Sequence, residues 1–231
     1  MKSCLYLWEP LCKRFIEELT IIKGYFLERI YPVFANIEDE VEKYQKDIWE
    51  DFMSTPCPCE EMDIDPSDFA VDCIEAGIEK YQILSVMKYR NLAMWIMCLC
   101  QVWEQQLIKF ILDEARHCGL KYNDKDVSKG FEFTKKAFEL YGIKFESLSC
   151  WPGIKELRAL VNTLKHSEGD SANKLRKLRP YYFQWEGTDK LEVYGSTLLD
   201  DTLNISTNDF INYYNVLVSF WEILPETMCK V

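Results

Sequence analysis

Glycine and proline are scarce in this chain: 9 and 8 of 231 residues. That scarcity argues against a loop-rich or all-β protein, which needs turn residues at short intervals. Histidine is scarcer still, with only His117 and His166. Any Cys-His or Ser-His pair must therefore use one of those two rings. There is no phosphate-cradling P-loop, no dinucleotide glycine fingerprint and no G-x-S-x-G elbow, so no cofactor is expected. Basic residues are outnumbered, 27 Lys and Arg against 38 Asp and Glu, for a net charge of −11. A chain this acidic is not a general nucleic-acid coat, and any such contact has to be local. Long apolar runs are missing too. Leu92 to Cys100 is the most apolar, extending to Trp103 if Gln101 is tolerated. That is far short of the roughly 20 residues that span a bilayer. Glu9 interrupts the only segment placed to act as a secretory signal. No membrane association is expected, and the chain reads as cytoplasmic.

What is present is apolar and aromatic: 48% hydrophobic and 14% aromatic residues, ample for one sizeable core. The ten cysteines read as mostly reduced, buried, small hydrophobes. Cys57-Pro-Cys59 is a C-x-C without a second pair at finger spacing, and the adjacent His117 and Cys118 cannot easily face one ion from a helix. No metal site is expected.

Helical periodicity dominates. The spacing predicts an all-α fold, a helical bundle with long antiparallel helices in a single domain over residues 1–231. Phe15, Ile16, Leu19, Ile22, Phe26 and Ile30 form one stripe, and Val33, Ile37, Val41, Tyr44 and Ile48 another. Pro32 between them implies one helix kinked there or two stacked end to end within residues 1–53. Ser54 to Cys59 reads as a loop. Asp65-Pro66-Ser67-Asp68 is a helix start, and helical character then persists to about Arg116, with a bend near Gly77 or Ser85 conceivable. Leu92 to Trp103, apolar nearly all round, reads as the central helix, with Arg90 and Glu104 paired at the core's edge. Residues 65–183 hold the core helices. Leu191 to Tyr194 and Thr202 to Ile205 alternate with period two, which suggests a small β-hairpin over 190–205. Ser206 to Asp209 caps a last helix over 207–224, closed by Pro225. From Glu38 to Glu75 the chain is heavily acidic, 14 Asp or Glu against Lys43 and Lys46. That segment reads as a solvated face or as a surface for a basic partner.

One stretch concentrates candidate chemistry. From Trp151 an amphipathic helix places Ile154, Leu157, Leu160, Val161 and Leu164 on one face, with Gly169 as a left-handed stop. Arg158, Asn162 and His166 recur every fourth residue as a slanted polar row beside that face. Lys165, Lys174, Arg176, Lys177 and Arg179 follow, then Tyr181 and Tyr182. An imidazole moves protons near neutral pH, a guanidinium neutralises phosphate, and an amide orients a phosphate or a ribose hydroxyl. Such a row could cleave RNA without metal, with His166 as general acid/base, Arg158 as phosphate stabiliser and Asn162 as orienter. The five basic residues would hold the RNA backbone, and Tyr181 or Tyr182 would stack a base. Equally, His166 could be a solvent-facing residue at a helix C-terminus, favoured there by the helix dipole.

The run Glu156-Leu-Arg…Asn162-Thr-Leu-Lys-His166-Ser-Glu-Gly-Asp-Ser-Ala resembles the HEPN superfamily, whose motif is Arg, usually a polar residue, three more residues and His. Asn162 and His166 match the polar position and the His. The motif's Arg falls at Val161 here, and Arg158 stands eight residues before His166. Either Arg158 substitutes from a neighbouring turn, or the site is degenerate and only binds. The resemblance implies a homodimer in which two motifs face each other. It also implies a metal-independent ribonuclease of a bacterial toxin–antitoxin or antiphage defence system, held by an antitoxin or another defence partner protein. The alternative from the residues alone is a non-enzymatic helical interaction module, binding a basic protein partner through the acidic N-terminal third.

Overall fold

A computed structural model describes residues 4–54, 66–185, 187–197 and 200–230. The fold is all-α, with one small two-stranded antiparallel sheet. Strand β1 (Cys4–Tyr6) leads into α1 (Glu9–Tyr25), where Pro10 occupies the first turn and forgoes an amide the helix would leave unpaired anyway. The helix then loosens into a π-turn, Phe26–Ile30, and tightens into a 3-10 turn, Tyr31–Phe34. Pro32 sits in that second turn. The chain absorbs its missing N–H by changing helix type rather than by a simple kink.

Helix α2 (Ile37–Ser54) lies antiparallel along α3 (Pro66–His117). Three contacts give the register: Lys80 with Glu40, Gln45 Nε2 donating to the Ile74 carbonyl at 3.5 Å, and Phe52 stacked on Phe69. The α3 helix runs 52 residues without interruption, about 78 Å at 1.5 Å per residue. Gly77 does not bend it. A Cβ there would fall 2.0 Å from Gln45 Nε2, so the glycine lets α2 approach. By length and composition alone α3 could cross a membrane. Its second half is, as expected, the central helix: Leu92, Ile96, Leu99 and Trp103 are buried.

Gly119, at φ 70°, ends α3. Two shorter helices, α4 (Asp124–Val127) and α5 (Phe131–Leu140), precede α6 (Trp151–His166) and α7 (Asp170–Leu178). A single turn, α8 (Lys190–Tyr194), comes before α9 (Thr207–Ile223) and β2 (Thr227–Cys229). The core between α1, α3, α5, α6 and α9 is largely aromatic: Phe15 lies 4.5 Å from Trp221, and Phe145 lies 5.2 Å from both Phe138 and Phe220. Gln106 ties three helices inside it. Its Nε2 donates to the Phe15 carbonyl and to Glu18, and its Oε1 accepts from Trp221 Nε1 at 3.0 Å. The expected cap of α9 is a full capping box, with Asp209 N–H donating to Ser206 Oγ and Ser206 N–H to Asp209 Oδ2.

Three expectations need correction. The β element pairs Cys4–Tyr6 with Thr227–Cys229, and the described residues of 190–205 form no hairpin. Asp189 caps α8 by accepting from Glu192 N–H, and Gly195 closes it in the left-handed region. These end signals outweigh the alternation of Leu191 to Tyr194. Cys4 and Cys229 form a disulfide, the exception among the described cysteines, of which Cys12, Cys73, Cys98, Cys100, Cys118 and Cys150 are free thiols as expected. The bridged pair lies opposite in the β1–β2 register, a proximity that no sequence spacing announces. Finally, α6 is stopped by Ser167, at φ 62°, while Gly169 stands as the residue preceding α7. The expected loop at Cys57 and Cys59 and the Asp65 cap lie outside the described residues.

Candidate functional site

The helix α6 forms where periodicity puts it. Pro152 lies in the first turn, and Ile154, Leu157, Leu160 and Val161 are buried against the core. Gly153 permits a close crossing with α9, since a Cβ there would meet Val216 Cγ2 at 2.6 Å. The polar row therefore runs along the margin of the core, and its three members have different surroundings. His166 is exposed in the last turn, next to exposed Lys165, and Asn162 is half-buried. Arg158 points into the bundle's edge. Its Nε donates to Glu104 Oε1 at 2.8 Å, and its guanidinium carbon lies 3.6 Å from the centroid of the Phe131 ring. Glu104 is thus the paired edge residue that the sequence leads one to expect.

Sequence reasoning missed the clamp behind His166. Ser167 is the one non-glycine residue with positive φ among the described residues. Thr197 holds it there: its backbone N–H donates to Ser167 Oγ at 3.1 Å, and its hydroxyl donates to the Leu164 carbonyl at 3.0 Å. That hydroxyl satisfies one of the carbonyls a helix end leaves over. Thr197 lies 30 residues downstream, so only the folded chain reveals the partnership.

The basic segment is less open than its composition suggests. Arg176 is chelated by Glu168, with two hydrogen bonds of 2.7 Å, and donates through Nε to Asp189 at 2.7 Å. It also lies over the Phe183 ring. The arginine beside it holds the Glu168 carboxyl below its ordinary range. Arg179 donates to Glu156 at 2.8 Å. All three candidate phosphate-binding arginines thus already have carboxylate partners. Lys174, Lys177 and Tyr181 are exposed. Tyr182 is a correction: it is 1% exposed, and its hydroxyl is bonded to Tyr213 at 2.8 Å, so no base can stack on it. Burial, helped by the nearby Asp209 carboxylate, pushes its phenol upward, against the lowering effect of the Tyr213 hydrogen bond.

Among the described residues no group of three His, Cys, Asp or Glu side chains is arranged to hold a metal ion. Cys100 is buried, and desolvation raises its thiol to about 12, which makes it inert.

The second candidate surface is the α2–α3 pair. Over Ile37–Ser54 and Pro66–Leu84 eleven carboxylates, every one exposed, accompany three lysines. Two of those lysines are engaged: Lys80 bridges to Glu40 and lies over the Tyr44 ring, and Lys46 bridges to Glu50. Between Ser67 and Met87 the buried residues of α3 are Cys73 and Gly77, one turn apart on the face toward α2. Val71, Ile74, Ile78 and Tyr81 are 52%, 56%, 52% and 44% exposed. Sequence reading placed some of these residues in a helix but not on an open face. No family model, curated protein or solved structure matches this chain.

Proposed function

We propose that this chain is a non-enzymatic helical interaction module whose α2–α3 pair binds a basic protein partner. One observation carries the reading: the pair exposes eleven carboxylates against three lysines, two of which are engaged within the pair. Such a surface raises the local concentration of cations and steers a basic partner toward it. The test is binding of poly-L-lysine to the full chain across a salt series, beside a variant carrying Glu38→Lys, Glu42→Lys and Glu75→Lys. The reading expects salt-sensitive binding that the variant loses. Equal binding by both proteins would overturn it.

A second reading keeps the HEPN-like function, RNA binding or metal-independent cleavage by a homodimer. It is favoured by His166 standing exposed beside Lys165, directly before the strained Ser167 that Thr197 holds in place. Backbone strain of this kind recurs at functional sites. The purified protein would then degrade RNA in EDTA, and His166→Ala would abolish the cleavage. RNA that is neither cut nor bound after prolonged incubation removes this reading and leaves the first untouched.

A further inference from the structure

Helix α3 carries one apolar seam along most of its length. Its second half uses Tyr89, Leu92, Ile96, Leu99 and Trp103, all buried in the core. Stepping back by threes and fours, the same seam continues through Ser85, Tyr81, Ile78, Ile74 and Val71. At about 100° per residue these positions share one face, and their alternating spacing is that of helices packed side by side. The first half of the seam is exposed because α2 packs on the neighbouring face, where Gly77 meets Gln45. A groove is left between the helices, lined by Glu38, Val41 and Glu42 from α2 and by Ile78 and Tyr81 from α3. Asp68 and Glu75, both exposed, border the seam on its other side.

We infer that this open seam is the seat of one amphipathic helix of the partner, apolar on the face that enters the groove and lined with Lys or Arg on both flanks. The inference rests on the interaction-module reading and specifies the occupant. Charge decides between candidates. A second copy of this chain would bring its own Glu38, Glu42, Asp68 and Glu75 against the same residues. Lys80, the one cation of α3 in this stretch, is turned toward α2 through Glu40. A basic amphipathic helix instead pairs with carboxylates on both sides while covering the four apolar side chains. Val71 to Ser85 spans about 21 Å, so a helix of about 14 residues or more covers it.

Two peptides of about 18 residues and identical composition separate the outcomes. One has Leu at helical seam positions with Lys and Arg beside them, and the other is scrambled. Both are titrated into the full chain at about 0.15 M salt, where distant charges are screened. The patterned peptide is expected to bind at least about tenfold more tightly, a preference that Ile74→Ser with Ile78→Ser removes. Both isoleucines are more than half exposed, so the variant should keep its circular dichroism spectrum. Equal, salt-sensitive binding of both peptides overturns the helix-in-groove inference and leaves the acidic-surface reading standing. Binding of neither overturns both. Sedimentation that shows self-association, lost in the same variant, assigns the seam to a second copy and overturns the inference.

Discussion

The Arg158–Glu104 contact separates the two functional readings, because the same guanidinium cannot be both a staple of the bundle and a free phosphate ligand. The perturbation is Arg158→Met, which keeps the aliphatic stem and removes the charge. Two interactions are lost: a hydrogen bond of 2.8 Å to a carboxylate and a cation–ring contact at 3.6 Å. A hydrogen bond to a charged group contributes about 1.5–3 kcal/mol, and a desolvated cation–π contact up to about 2 kcal/mol. The two side chains are 26% and 29% exposed, so solvent reduces both contributions, and about 2 kcal/mol is the expected net loss. Glu104→Gln should cost about 1.5 kcal/mol and the double variant about 2.5, a coupling of about 1 kcal/mol. Urea unfolding followed by tryptophan fluorescence measures each value. A change below about 0.3 kcal/mol for Arg158→Met, with no coupling to Glu104, would refute the structural assignment. RNA affinity lost in that same variant would return Arg158 to the phosphate.

Gly153→Ala should destabilise by about 1–2 kcal/mol, because the new Cβ meets β-branched Val216 and the clash exceeds the gain in helix propensity; Val216→Ala in the same chain should recover most of it in a urea titration. The Glu168 carboxyl, depressed by Arg176 below its ordinary value of 4.5, contributes stability above that value, and the contribution is lost as pH falls through the folded value. Thermal melts from about pH 6 to 3 should therefore fall less steeply for Arg176→Met than for the native chain, and parallel curves would contradict the pairing. Replacing Cys4 and Cys229 by serine should lower the urea midpoint. Chain-entropy reasoning for residues 225 apart sets a ceiling of about 5 kcal/mol. The paired ends are also held by Leu7 N–H to the Glu226 carbonyl, so about 2–4 kcal/mol is expected, and an unchanged midpoint would show that the bridge adds nothing.

Local signals were legible where they act locally. The apolar run at Leu92–Trp103 reads directly as the central helix, the seam of α6 as a core face, and Ser206 with Asp209 as a cap. Errors arise where a distant partner decides. Arg158 looks free until Glu104, 54 residues away, is folded against it. Arg176 looks like part of a basic patch until Glu168 and Asp189 close round it. Tyr182 follows Tyr181 in sequence, yet a 3-10 turn sends one ring into the core and leaves the other outside. The disulfide depends on the ends of the chain meeting. At 190–205 the period of two was real, but Asp189 and Gly195 are helix-end residues and they prevailed. The acidic pair was visible as composition. That its apolar seam lies open required knowing on which face α2 sits.

The proposed binding seam occupies residues 71–85 of α3. Backbone amide exchange read along the chain, with and without the patterned basic peptide at saturation, tests it at the residues concerned. Exchange should slow over Ser67 to Ser85 and over the facing turns of α2, with α6 unchanged. A saturated peptide that leaves α3 exchanging at its free rate, and protects some other surface, would contradict the account.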